Sequence, residues 1–268
     1  MQSSTIDLST AGIESKDELT ESIRDYWNKR IHDLEIAQHP VGTKKFFKEL
    51  DAYRFEKLDY LPRVVDFTAY RGKKLLEIGC GVGLDLVRFA RGGTTVTGID
   101  LAAVSIDLAK KNFAFQRVKG NLQVMDGEHL QFDDDSFDVV YAHGVLQYTA
   151  NIEKMIAEIR RVLKPGGEAI LMVYNRYSWL NFMSKVFAVK LEHEDAPVLN
   201  RFSIRQFRKM LSGFSRVEII PERFPVPTRL HHGLKAAVYN GVFVSSFNLL
   251  PKRLVRPLGW HLMAKAIK

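Results

Sequence analysis

Between residues 73 and 175, short apolar runs alternate with stretches of helical periodicity, and no other feature constrains the fold as tightly. The runs cover 75–78, 95–99, 122–125, 137–141 and 168–173, and the helical stretches cover 84–91, 103–115 and 152–163. Runs that are apolar throughout, rather than at every second residue, belong to strands buried on both faces, as in a parallel sheet covered by crossover helices. The reading is therefore an α/β chain with a doubly wound, Rossmann-like sheet. Further strands at 217–220 and 261–266 bring the count to seven, with a helix at 204–211 before the first of them.

Flanking segments follow other patterns. Residues 1–15 read as a flexible leader. Over 16–70 apolar residues recur at helical spacing (Ile23, Tyr26, Trp27, then Phe46, Phe47, Leu50, Tyr53), which gives a helical N-terminal cap or lid. The core is read as 71–268, with insertions after strands five and six at about 176–200 and 221–259.

Composition removes several function classes. No run of about 18 apolar residues exists to span a bilayer. The first twenty residues lack a basic start and an apolar stretch, so the expected location is cytoplasmic. Cys80 is the sole cysteine, which excludes an intrachain disulfide and a multi-cysteine zinc site. The net charge of +8 is uneven: residues 201–268 carry 13 Lys and Arg against Glu218 and Glu222. Such a basic region attracts nucleic acid, anionic lipid or acidic substrates, or serves only solubility.

Glu77-Ile78-Gly79-Cys80-Gly81-Val82-Gly83 falls where the first strand ends and a helix begins. Glycines there let the backbone turn sharply and approach a ligand, and the helix N-terminus behind them favours an electron-rich group. The spacing is G-x-G-x-G, without the third glycine of the G-x-G-x-x-G dinucleotide fingerprint. A tight turn with no ligand is the alternative. Asp100 ends the second strand, where a carboxylate accepts hydrogen bonds from both ribose hydroxyls, or caps the helix that follows.

With these motifs in place, residues 75–174 resemble the core of the class I S-adenosylmethionine-dependent methyltransferases, the small-molecule type with a seven-stranded sheet. Asp126-Gly127-Glu128 matches that family's adenine-binding corner, 137–143 its fourth-strand motif, and Arg161-Val162-Leu163-Lys164-Pro165-Gly166-Gly167 the turn before strand five. The resemblance implies S-adenosyl-L-methionine as cofactor, with S-adenosyl-L-homocysteine as product. It implies that Glu77, Gly79, Cys80, Gly81 and Gly83 hold the methionine portion, Asp100 and Leu101 the ribose, and Asp126, Gly127 and Glu128 the adenine. Tyr26 would cover the cofactor from the lid, and His143 would lie against it.

Candidates for catalysis are His143 at the tip of strand four, Tyr148 one turn later, and His32 in the lid. A base is optional, because displacement from a sulfonium needs mainly alignment and exclusion of water. No metal is expected: Glu192-His193-Glu194-Asp195 has suitable residue types, but adjacent residues rarely converge on one ion. His231-His232 offers a base or a surface pair. Ala142-His143-Gly144-Val145 stands where base-directed N-methyltransferases carry Asn/Asp-Pro-Pro-Tyr/Phe, which argues against nucleic acid.

The leading reading is methyl transfer to a small apolar or aromatic acceptor at oxygen, nitrogen or carbon. A second keeps the chemistry but takes a quinone or lipid at the membrane, with peripheral contact through 234–256, apolar residues followed by Lys252, Arg253 and Arg256. A third is a non-catalytic module that binds the cofactor. No feature of the sequence fixes an oligomeric state.

Overall fold

The computed structural model describes residues 16–187, 191, 193–225, 233 and 237–268. The leader at 1–15, Glu192 and the His231-His232 pair lie outside the described residues.

Seven strands form one sheet: β1 (Lys74–Ile78), β2 (Thr95–Asp100), β3 (Asn121–Val124), β4 (Phe137–His143), β5 (Leu163–Tyr174), β6 (Arg216–Glu222) and β7 (His261–Ile267). Their order is β3-β2-β1-β4-β5-β7-β6. The five sequential strands pair in parallel, as the apolar runs require. β7 runs antiparallel to both neighbours and separates β5 from β6.

Each face of the sheet is buried by its own set of helices. The period of two sends Leu75, Val139, Tyr141 and Ile170 to one face, and Leu76, Val140 and Leu171 to the other. α4 (Leu84–Arg91) and α5 (Ala103–Gln116) cover the first face, and α6 (Ile152–Val162) and α8 (Ile204–Met210) the second. On α6 the residues Ile152, Met155, Ile156, Ile159 and Val162 form the buried stripe. Asn151 starts that helix by accepting the Lys154 N–H at 2.9 Å, and Arg160 and Arg161 sit in its last turn, favourably placed for the helix dipole.

Residues 164–167 differ from the expected turn. β5 already pairs Leu163 with Phe137, and the register then jumps to Val139 with Glu168, so these residues form a bulge within one long strand. Gly166, at φ 75°, permits that bulge.

Before the sheet come α1 (Lys16–Asn28), α2 (Lys44–Lys57) and α3 (Leu61–Val64). Phe46, Phe47 and Leu50 of α2 pack on Val82 and Leu108, which fastens this helix over the glycine turn. α7 (Trp179–Phe187) follows β5. Among the described residues no helix is long and apolar enough to cross a membrane.

Candidate active site

The ends of β1, β2 and β4 open into a cavity lined by Gly79, Gly81, Asp100, Asp126, Gly127 and His143. It is the crevice at the carboxyl ends of the strands where open α/β sheets bind ligands. The three glycines of the turn have φ of +67°, +51° and +76°, and each is glycine for its own reason. A Cβ on Gly79 would lie 2.1 Å from Val145 Cγ2, and one on Gly83 would press on Phe113. One on Gly81 would meet nothing within 4 Å, so Gly81 leaves its backbone bare to the cavity. Gly83 does not line the cavity; it stands as the N-cap of α4.

Asp100 braces this turn. Gly81 N–H donates to its Oδ2 and Ala102 N–H to its Oδ1, both at 2.9 Å. Burial pushes its carboxyl up, and those backbone donors offset part of the shift. Glu77 is 4 % exposed, and its Oε2 has no hydrogen-bond partner among the described residues. Burial, and then the neighbouring Asp85 charge, push the Glu77 carboxyl well up. Cys80 lines the cavity as a buried thiol that burial and Asp100 keep protonated.

Opposite lies a chain of polar side chains drawn from α2, α4, β4 and β7 and from the residues just before α3 and just after β6. Arg54 grips Asp85 with two bonds, Nε to Oδ1 at 2.7 Å and Nη2 to Oδ2. Tyr141 also donates to Asp85 Oδ2, at 2.8 Å. Burial disfavours the Asp85 charge, but Arg54 outweighs it and holds the carboxyl below the usual range. The same Nη2 points at His143 Nδ1, 3.4 Å away, and Arg223 Nη1 points at His261 Nε2, 3.1 Å away. Guanidinium has no lone pair, so both nitrogens must be the unprotonated ones. His143 Nε2 and His261 Nδ1 then carry the hydrogens, and both donate to the Tyr60 oxygen, at 2.9 and 2.6 Å. Burial, with the nearby arginine charges, pushes His143 down to about 3 and His261 well below its ordinary value. Both imidazoles are therefore neutral at physiological pH.

The outer wall is aromatic. Trp27 packs edge-on against Tyr148 with centroids 5.1 Å apart, and the Tyr148 hydroxyl donates to that of Tyr174 at 3.2 Å. Tyr174 stacks on Trp260 at 4.4 Å. His32 lines the rim and meets His193 through Nδ1 and Nε2 at 2.7 Å.

Besides Gly83, two residues expected at the cofactor are placed otherwise. Tyr26 does not line this cavity: α1 turns by about 100° per residue, so Trp27 faces inward and Tyr26 faces the segment after α7. There its hydroxyl donates to Asp195 Oδ1 at 2.9 Å and meets His193 Nδ1 at 3.2 Å, and burial, followed by Asp195, pushes it up to about 12. Glu128 lines the cavity, but its Oε1 accepts from Thr149 Oγ1 and from Asn151 N–H, tying the loop after β4 to that after β3. Asp126 accepts the Glu128 N–H and meets His129 Nδ1, both at 2.8 Å, with Leu101 and Gly127 beside it.

Sequence reasoning missed Arg54, Lys57, Tyr60, Arg223 and His261, of which all but Tyr60 line the cavity. One signal for the first two was present. Arg54 and Lys57, three apart on α2, continue the face that carries the buried Phe47 and Leu50 and needed partners.

A family model described as a methyltransferase domain matches residues 76–171, the stretch that carries the glycine turn, Asp100, Asp126 and His143. Over these residues the chain carries a methyltransferase domain. It is 29% identical over 234 residues to a sterol 4-C-methyltransferase of Caenorhabditis elegans, covering 85% of this chain and 64% of that one. It is 28% identical over 166 residues to a ubiquinone biosynthesis O-methyltransferase of Coxiella burnetii, covering 62% of each. The chain thus spans less than two thirds of these curated relatives. Among solved structures, the geranyl diphosphate C-methyltransferase of Streptomyces coelicolor superposes with a TM-score of 0.58 at 19% identity, over 93% of this chain and 97% of that one.

S-Adenosyl-L-methionine is the cofactor of this family, and the residues present fit it. The cofactor carries a sulfonium, an ammonium and two ribose hydroxyls. They correspond to a buried Glu77 oxygen that has no partner among the described residues, a bare backbone at Gly81 and an inward-facing Asp100.

Proposed function

We propose that this protein transfers the methyl group of S-adenosylmethionine to a small apolar or aromatic organic acceptor held against Trp27, Tyr148 and Tyr174. The observation that carries this reading is that these rings and the glycine turn line one and the same cavity. The cofactor supplies an electrophilic methyl on a sulfonium. Glu77 receives the ammonium, Asp100 the ribose hydroxyls, and Asp126 the adenine edge. Residues 16–70 act as the lid, with Trp27 as its cavity-facing ring, and exclude water from the reacting atoms.

His143 acts as a positioning residue. With an imidazole pushed down to about 3 it is too weak a base to take a proton from a phenol, and its Nε2 hydrogen is committed to Tyr60. Tyr148 touches the acceptor, and the His32–His193 pair closes the rim. The sole cysteine, buried and protonated, suits a reducing cytoplasm.

A second reading, that the acceptor is a quinone or another lipid, is favoured by the apolar surface around Leu249 and Leu254, 86% and 70% exposed. The test is a radiolabelled methyl-transfer screen over phenols, amines, quinones and sterols, alongside calorimetry with S-adenosylhomocysteine. Asp100→Ala is expected to abolish cofactor binding, because it also releases the Gly81 and Ala102 N–H groups. Undiminished binding in that variant would sink the cofactor assignment, and a lack of label transfer to every class would leave a cofactor-binding module.

A further inference from the structure

The segments 176–187 and 237–258 meet in one aromatic cluster. Trp179 lies 5.9 Å from Phe243 and 6.3 Å from Phe247, centroid to centroid, and Val255 completes the group. This contact satisfies their inner side. Around it the outer side is apolar as well: Phe182 is 66% exposed, Val242 62%, Leu249 86% and Leu254 70%. Eight of the thirteen large apolar side chains most exposed among the described residues fall in these two short segments. Monomeric soluble proteins rarely leave such a patch uncovered.

Charge identifies what covers it. The two segments contain Arg176, Lys185, Lys252, Arg253 and Arg256, and no Asp or Glu. Arg176, Lys185, Arg253 and Arg256 are exposed. Aliphatic side chains accompanied within these segments by cations alone complement an anionic bilayer, where the apolar groups reach the acyl boundary and the cations meet headgroups. The patch also adjoins the cavity: Trp179 Nε1 donates to the Arg223 carbonyl at 2.9 Å, while Arg223 lines the cavity wall.

We infer that segments 176–187 and 237–258 together form a docking surface for an anionic phospholipid bilayer. If the methyltransferase reading holds, on which this last step alone rests, a lipid-soluble acceptor reaches the cavity beside Arg223 without crossing bulk water.

The test is flotation of the full chain with phosphatidylcholine vesicles, with and without about one-third phosphatidylglycerol, at low and high salt. Binding is expected to need the anionic lipid and to weaken with salt. At about 1 kcal/mol per cation near the surface, or about fivefold each, Arg253→Ser with Arg256→Ser should lower the partition coefficient about 25-fold. Leu249→Ser with Leu254→Ser should lower it at both salt levels. Flotation on neither vesicle, or flotation indifferent to both pairs, overturns the proposal. So does a dimer in sedimentation equilibrium that Leu249→Asp dissolves, since a second copy would then cover the patch. S-Adenosylhomocysteine binding, measured on every variant, separates failure here from failure of the cofactor assignment.

Discussion

Replacing Glu77 with Gln tests how the site recognises a cation. In the ligand-free protein the carboxylate is poorly placed, with one oxygen unsatisfied among the described residues and its carboxyl pushed well up by burial and by Asp85. Below the ordinary value of 4.5, folded and unfolded chains both hold the proton, and stability is unaffected. As pH rises through the elevated folded-state value, the unfolded chain has already lost its proton, and folded stability falls. Glutamine does not titrate, so the melting advantage of Glu77→Gln should be smallest near pH 4 and grow towards neutrality. Each kcal/mol moves Tm by about 2–4 °C in a chain of this size. Ligand binding should show the opposite sign. A hydrogen bond to a charged group contributes about 1.5–3 kcal/mol, so the variant should bind S-adenosylmethionine about 10- to 150-fold more weakly. Calorimetry in two buffers of different ionisation enthalpy should show proton release on binding by the natural protein and none by the variant. Affinity unchanged within twofold would refute the assignment of Glu77 to the ammonium.

Other substitutions probe the frame of the site. Gly79→Ala puts a Cβ against Val145 at a φ of +67° and should cost about 2–4 kcal/mol in urea unfolding. Adding Val145→Ala should relieve the clash but not the backbone strain; no recovery at all would refute the contact. Arg54→Met leaves Asp85 buried without its counter-charge, at a cost of about 3–5 kcal/mol, most of which Asp85→Leu should recover in the double variant. Because the Asp85 carboxyl is held low, its stabilising effect is present at neutral pH and lost as pH falls through the folded-state value. That acid limb should disappear in Arg54→Met. Tyr60→Phe removes the acceptor of two imidazole N–H groups and should cost about 1–3 kcal/mol in thermal unfolding without changing S-adenosylhomocysteine affinity. An affinity loss matching that of Asp100→Ala would contradict its place outside the cofactor pocket.

The parts of the fold that could be read from the sequence are those dictated locally. A strand buried on both faces must be apolar throughout, so β1, β2 and β4 are visible as runs, and the glycine turn and Asp100 lie beside their ends. The direction and place of β7 are not local. The same residues, His261–Ile267, would serve a parallel edge strand equally well. The polar half of the site was hidden for the same reason, since Tyr60 and His261 meet across 201 positions. Tyr26 and Trp27 show a finer limit, because periodicity finds the aromatic pair but not which ring turns inward.

The strand order also governs how the molecule is assembled. β1 to β5 pair with one another directly, and with them the glycine turn, Asp100 and His143 come into register. β6 touches the sheet only through β7. The wall that carries Arg223 and His261 therefore cannot form until residues near 261 have been made and threaded between two strands. On a chain growing from its N-terminus, the part of the cavity at the ends of β1, β2 and β4 is built first and the wall of Arg223 and His261 last. Each new molecule thus passes through a stage at which the glycine turn and Asp100 are framed but the cavity still lacks the wall of Arg223 and His261.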